Sequence, residues 1–138
     1  MKKLFKLALS GIMATSLVAC SSSSDTKGST ATTSATSDMS VAMITDSGEI
    51  TDKSFNQTTY EASKEWSEKN GAEFKYYKPS ADNNDARVQA IETAIAEGHN
   101  VIVMPGYLFA GAVVECAKEY SDVKFIALDC SEGDLLEA

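Results

Sequence analysis

Residues 41–57 read Val41-Ala42-Met43-Ile44-Thr45-Asp46-Ser47-Gly48-Glu49-Ile50-Thr51-Asp52-Lys53-Ser54-Phe55-Asn56-Gln57. An apolar run of four residues and Thr45 end at an acid, then a polar loop, then a helix start. A short continuous apolar run bounded by a turn signal is a strand buried on both faces. From Ser54 to Lys69, Phe55, Thr59, Ala62 and Trp66 recur at helical spacing and share one face. Ser54 and Gln57 have the spacing of a capping box, and Gly71 is placed to end the helix.

The same alternation continues downstream. Ala72–Lys78 reads as a strand. A helix follows, capped by Asn83 or Asn84, with Val88, Ile91 and Ile95 as its buried stripe and Gly98 at its end. Val101–Met104 is a third strand, broken by Pro105-Gly106. Tyr107–Tyr120 is a third helix with Phe109, Ala112, Val113, Cys116 and Tyr120 facing inward, and Val123–Asp129 a fourth strand. Strands alternating with helices imply βαβ units, a parallel sheet with both faces covered, and hence an α/β, Rossmann-like fold. Ligands of such sheets meet the carboxyl ends of the strands. Those ends are polar here: Asp46-Ser47-Gly48, Pro105-Gly106-Tyr107 and Asp129-Cys130-Ser131.

Upstream, Met1-Lys2-Lys3 leads into an apolar run that ends in Leu17-Val18-Ala19-Cys20. A basic start, a short apolar run and small residues before a cysteine describe an export signal over residues 1–19 that closes on a lipid-attachment site at Cys20. Several acyl chains on one cysteine give stable anchoring. Residues 21–40 are almost all Ser, Thr, Ala, Gly and Asp, and cannot bury a core. They read, with Cys20, as a flexible tether. The folded part is then residues 41–138, one small domain.

The 138 residues carry a formal charge of −8. Residues 1–19 hold three lysines and no acid, so their removal takes the charge to −11. Such a surface argues against nucleic acid as a partner. His99 is the single histidine, and no Cys-x-x-Cys or other metal-ligand spacing occurs; His99 reads as an ordinary residue of the turn after Gly98. Cys116 and Cys130 lie among apolar neighbours, as buried thiols do, although an oxidising compartment would permit pairing.

At the first carboxyl edge, Phe55 could stack on a planar ligand, Asn56 could donate to and accept from a ring edge, and Asp46 and Asp129 could accept from hydroxyls or N–H groups. Each has a plainer reading. On helical spacing Phe55 is a core residue, Asn56 a solvated first-turn residue, and both acids bond nearby turn N–H groups. Asp46 and Asp129 end neighbouring strands in one strand order.

Residues 41–57 resemble the opening of the basic membrane protein family, lipoprotein substrate-binding proteins of ABC importers related to the purine nucleoside receptor A type. Val101–Tyr107 resembles that family's third strand and turn, and Val123–Asp129 its fourth strand with a terminal ligand aspartate. The resemblance covers residues 41–138. It implies the first lobe of a type I periplasmic-binding-protein fold, a nucleoside ligand, an ABC permease partner and no catalysis or cofactor. It implies that Phe55 stacks on the purine, Asn56 and Asp129 bond its edge, and Asp46 with Ser47 faces the ribose. Gly106 admits the backbone to the cleft, and Tyr107 lines it. Such proteins work lipid-anchored on the outer face of the cell membrane. Family members have two lobes, so the chain as written is expected to hold part of the first lobe, to bind weakly alone and to leave a sheet edge and apolar surface open.

Two other classes fit parts of the sequence. A flavodoxin-like enzyme is invited by Asp46 and Asp129, but the third strand ends in Met104-Pro105-Gly106 with no acid, and neither a Gly-x-Ser-x-Gly elbow nor a phosphate-binding glycine loop is present. A surface lipoprotein acting through protein contacts needs only the anchor and the domain.

Overall fold

The computed structural model describes residues 37–138. The export signal, Cys20 and the tether up to residue 36 lie outside the described residues. The chain runs β1 (Ser40–Ile44), α1 (Phe55–Asn70), β2 (Glu73–Tyr77), α2 (Asn84–Ala96), β3 (Val101–Pro105), a 3₁₀ turn (Tyr107–Phe109), α3 (Ala110–Glu119), β4 (Lys124–Leu128) and α4 (Glu132–Glu137). All strand pairings are parallel, in the order β2-β1-β3-β4.

The α/β reading therefore holds. The tether reading runs too far. Residues 37–40 are tied into the domain: Ser37 N–H donates to Gly71 O, Asn100 Nδ2 donates to Asp38 O, and Ser40 already pairs with Glu73.

Alternate residues of the central strands face opposite sides. Ala42 and Ile44 of β1, with Ile102 and Met104 of β3, form the larger core under α2 and α3. Ile91 and Ala94 of α2 and Phe109, Ala112 and Cys116 near α3 complete it. Val41, Met43, Val101 and Val103 face the other side, where Tyr60 of α1 and Phe74 of β2 pack on them. Here the structure departs from the expected face of α1. Thr59 is buried as expected, but the helix lays Asn56, Thr59 and Ser67 inward, while Phe55, Ala62 and Trp66 are exposed. The small side chains bring the helix close over β1 and β2. On the same face Val101 and Val103 of β3 are buried, but Ile126 of β4 is left exposed among the described residues. Ala62 and Trp66 instead line an open apolar groove of about 340 Å³ with Met39, Val101, Val103 and Ile126.

The start of α1 also differs. Ser54 makes no side-chain cap bond. The Asp52 carboxylate takes that place, accepting from Ser54 N–H at 2.7 Å and Gln57 N–H at 3.1 Å. Gln57 reaches back to Lys53 N–H rather than to Ser54. Asx side chains bond forward to their own backbone readily, and a carboxylate at a helix N-terminus also gains from the dipole. Gly71 ends α1 in the left-handed conformation, φ 65°, its N–H on Ser67 O. Asn83 caps α2 by accepting from Ala86 N–H.

Candidate functional site

Parallel strands deliver the ends of β1, β3 and β4 to one edge, and the loops after them hold the residues singled out above. Asp46 follows β1, Gly106 and Tyr107 follow β3, and Asp129 follows β4. Phe55 and Asn56 enter from the first turn of α1.

One expectation about this edge is corrected. Asp46 and Asp129 do not end neighbouring strands, because β3 lies between β1 and β4. Two strand spacings put the strand ends about 10 Å apart. The gap leaves Gly106 and Tyr107 as the floor between the two acids.

The β1–α1 loop is a tight hydrogen-bonded knot. Asn56 is buried, 3% exposed. Its Oδ1 accepts from Asp46 N–H at 3.1 Å. Its Nδ2 donates to Asp46 Oδ1 at 2.7 Å and to Asp52 Oδ2 at 3.0 Å. Asp46 Oδ1 also accepts from Gly48 N–H at 2.6 Å, which is the turn-bonding role open to such an acid. Asn56 thus spends both amide protons inside the loop. Of the expected donor-and-acceptor role, only the acceptor at Oδ1 is left. A Cβ on Gly48 would lie 2.4 Å from Asn56 Nδ2, so the knot requires glycine there. Hydrogen bonds, first from Asn56 and then from the Ser54, Gln57 and Asn56 backbone, hold the Asp52 carboxyl below its ordinary range.

The other candidates are less enclosed. The Phe55 ring is 40% exposed rather than buried in the core, and Tyr107 is 59% exposed. Ser47 lies exposed in the β1–α1 loop. Gly106 has φ 109°, a conformation that L side chains rarely adopt, and its N–H bonds Leu128 O, joining the ends of β3 and β4. Asp129 is exposed with φ 55°; Lys53 is the other non-glycine residue with positive φ among those described. Backbone held there by a non-glycine costs energy, and such positions gather at functional loops.

Sequence reasoning passed over Asp52, although an acid two residues before Ser54 is a recognisable helix-start signal. It also passed over Arg87. That side chain is buried near the start of α2, pairs with Asp82, and lies 5.7 Å from the Phe109 ring centroid. Its Nε has no partner among the described residues. The apolar groove beside Trp66 contains none of the expected site residues; its lining reaches toward the amino ends of the strands, at Met39, Val101 and Lys124.

His99 is buried, with Nδ1 2.8 Å from Ser40 Oγ and its ring edge-on to Tyr77. It joins the start of β1 to the start of β3, far from the carboxyl edge. Cys116 and Cys130 are free thiols, the first buried and the second half-buried. Among the described residues no cluster of acids, His and Cys could hold a metal ion, and no helix is long and apolar enough to cross a membrane.

Comparison with known proteins places this arrangement. The family model for PnrA-like ABC transporter substrate-binding proteins, Bmp, matches residues 39–134. A CD4+ T-cell-stimulating antigen of Listeria innocua is 34% identical over 139 residues, covering 96% of this chain and 38% of its own. An uncharacterised lipoprotein of Pyrococcus abyssi is 28% identical over 99% of this chain and 33% of its own. The chain thus spans about a third of the length of these relatives. Among solved structures, an ABC transporter solute-binding protein of Conexibacter woesei superposes with a TM-score of 0.55 at 29% identity, covering 63% of this chain and 28% of its own. A solute-binding protein of Aeropyrum pernix shares the fold at a TM-score of 0.60, covering 67% of this chain and 25% of its own. The resemblance of residues 41–57 to an importer family is thereby upheld, and the sheet is part of a larger solute-binding fold. The chain belongs to the Bmp family, the PnrA-like ABC transporter substrate-binding proteins.

Proposed function

We propose that this chain forms one wall of a nucleoside-binding cleft in a lipid-anchored importer receptor on the outer face of the cell membrane. The observation that carries the reading is the half-exposed Phe55 ring, held at the carboxyl edge by the helix that also fixes Asn56 beside Asp46. An exposed aromatic ring flanked by carboxylates suits a flat base bearing a hydroxylated sugar. Phe55 stacks on the base, Asp129 accepts from the base edge, and Asp46 with Ser47 accepts from the sugar. Gly106 leaves room between the acids, and Tyr107 borders it. An ABC permease receives the ligand, and acylated Cys20 holds the receptor at the bilayer.

A single wall buries little of a ligand. In an NMR titration, adenosine at millimolar concentration is expected to shift the Phe55, Tyr107 and Asp129 resonances without saturating in the micromolar range. Phe55→Ala abolishes those shifts. A saturable micromolar dissociation constant for these 138 residues contradicts the single-wall reading, and no shift at any of the three removes the nucleoside. Anchoring is tested separately by intact mass. Cys20→Ala is expected to lose the acyl mass and to release the protein from membranes.

A further inference from the structure

We infer that Asp52 is a positioning residue of this site, resting on the nucleoside reading above: its Oδ2 holds the Asn56 amide in one orientation, so that a ligand meets only acceptors there. Four bonds carry the inference. Asp52 Oδ1 accepts from Ser54 N–H and Gln57 N–H, which is helix capping. Asp52 Oδ2 instead accepts from Asn56 Nδ2 at 3.0 Å and Asn56 N–H at 3.3 Å. Oδ1 therefore serves the helix start alone, while Oδ2 is shared between the first-turn N–H of Asn56 and its side chain.

The orientation of a carboxamide follows from what surrounds it. Asn56 Nδ2 faces two carboxylate oxygens, and Oδ1 faces the Asp46 N–H. Turning the amide over would set its NH₂ against the Asp46 N–H and its carbonyl against two carboxylates. One orientation survives, with both protons spent. What remains unpaired is one lone pair of Asn56 Oδ1, on a side chain that only a close-fitting ligand group could reach, together with Asp46 Oδ2, which has no partner among the described residues. Both are acceptors, so this edge selects ligand hydroxyl and N–H donors.

Asp52→Asn separates the two roles. The new carbonyl oxygen can still accept from Ser54 and Gln57, so α1 keeps those two bonds and loses only the longer one from the Asn56 N–H. The new NH₂ faces the Asn56 NH₂, donor against donor. In the full chain, both Asn56 side-chain protons are expected to exchange slowly by NMR. In D52N one or both exchange about tenfold faster or more, the loss of one hydrogen bond to a charged group, while the α1 backbone amides after Asn56 keep their protection. The adenosine-induced shifts at Phe55 weaken in parallel. The inference is overturned if the wild-type Asn56 protons already exchange like those of a free asparagine amide, a test that needs no variant to fold. It is equally overturned if D52N leaves the Asn56 protons, or the adenosine response, unchanged. If adenosine moves nothing in the wild type while D52N still frees the Asn56 amide, Asp52 stands as the positioning group and the nucleoside reading alone falls.

Discussion

Gly48 and Asn56 depend on each other at a separation that leaves no space for a methyl group. Gly48→Ala would set a Cβ 2.4 Å from Asn56 Nδ2. The amide must then shift and loosen its bonds to Asp46. The expected cost is about 1–3 kcal/mol by urea denaturation, the range for hydrogen bonds to charged groups. His99 makes a second prediction at this scale. Burial, the first cause, lowers its pKa, against Glu73 and Glu97 nearby, which favour the charged ring, and with Lys75, which opposes it. The Ser40 hydroxyl and the Tyr77 ring are its neutral neighbours. The unfolded chain then binds a proton near the ordinary histidine range before the folded one does. Stability from this group is full above pH about 6.5 and falls as the pH drops toward the lowered value. Urea midpoints at pH 7.5 and 5.5 should differ, and His99→Gln should flatten that difference. The thiols divide similarly. Burial pushes the Cys116 thiol up to about 11, so at pH 8 a maleimide should label Cys130 well before Cys116.

Helix starts in this fold depend on which side chain takes the free N–H groups. Ser54 reads as the cap of α1, yet Asp52 does the capping. Ser54→Ala should therefore change stability by less than about 0.5 kcal/mol. Asn83 does cap α2, and Asn83→Ala should cost about 1 kcal/mol. Thermal melts of the two variants side by side decide between these roles. The residue types that start and stop each helix were legible from Asn83, Gly71 and the apolar periods. The choice between Asp52 and Ser54 was not, because it turns on how the loop closes, with Lys53 at a positive φ and the Asp52 carboxylate on the Ser54 and Gln57 N–H groups. At the carboxyl edge, residue identities were legible and residue functions less so. Asn56 was visible as a polar first-turn residue, but its commitment to two carboxylates depends on how the loop closes.

At the scale of the domain, one sheet face is only half covered among the described residues. Trp66 and Ile126, 43% and 44% exposed, flank the groove beside β3 and β4. Contiguous apolar surface of this kind favours association. The chain should bind a hydrophobic dye such as anilinonaphthalene sulfonate, and Ile126→Lys should reduce both dye binding and aggregation. Trp66 is the chain's one tryptophan, so its emission reports the groove directly; a wavelength already typical of a buried indole would contradict the open face.

Local pattern alone determined the succession of strands and helices from β1 to β4, the parallel α/β class, the inward residues of α3 and the family resemblance carried by residues 41–57, but not the short α4. These signals repeat within a dozen residues, so they survive without knowledge of neighbours. Only the tertiary structure decided the order β2-β1-β3-β4, the separation of Asp46 from Asp129 by β3, the turn of α1 that leaves Trp66 outward, and the knot that holds Asn56. Each of these depends on what packs against an element from elsewhere in the chain. A helix with Thr59 and Ser67 along one side and Trp66 along another buries whichever side another layer meets, and its own sequence does not say where that layer lies.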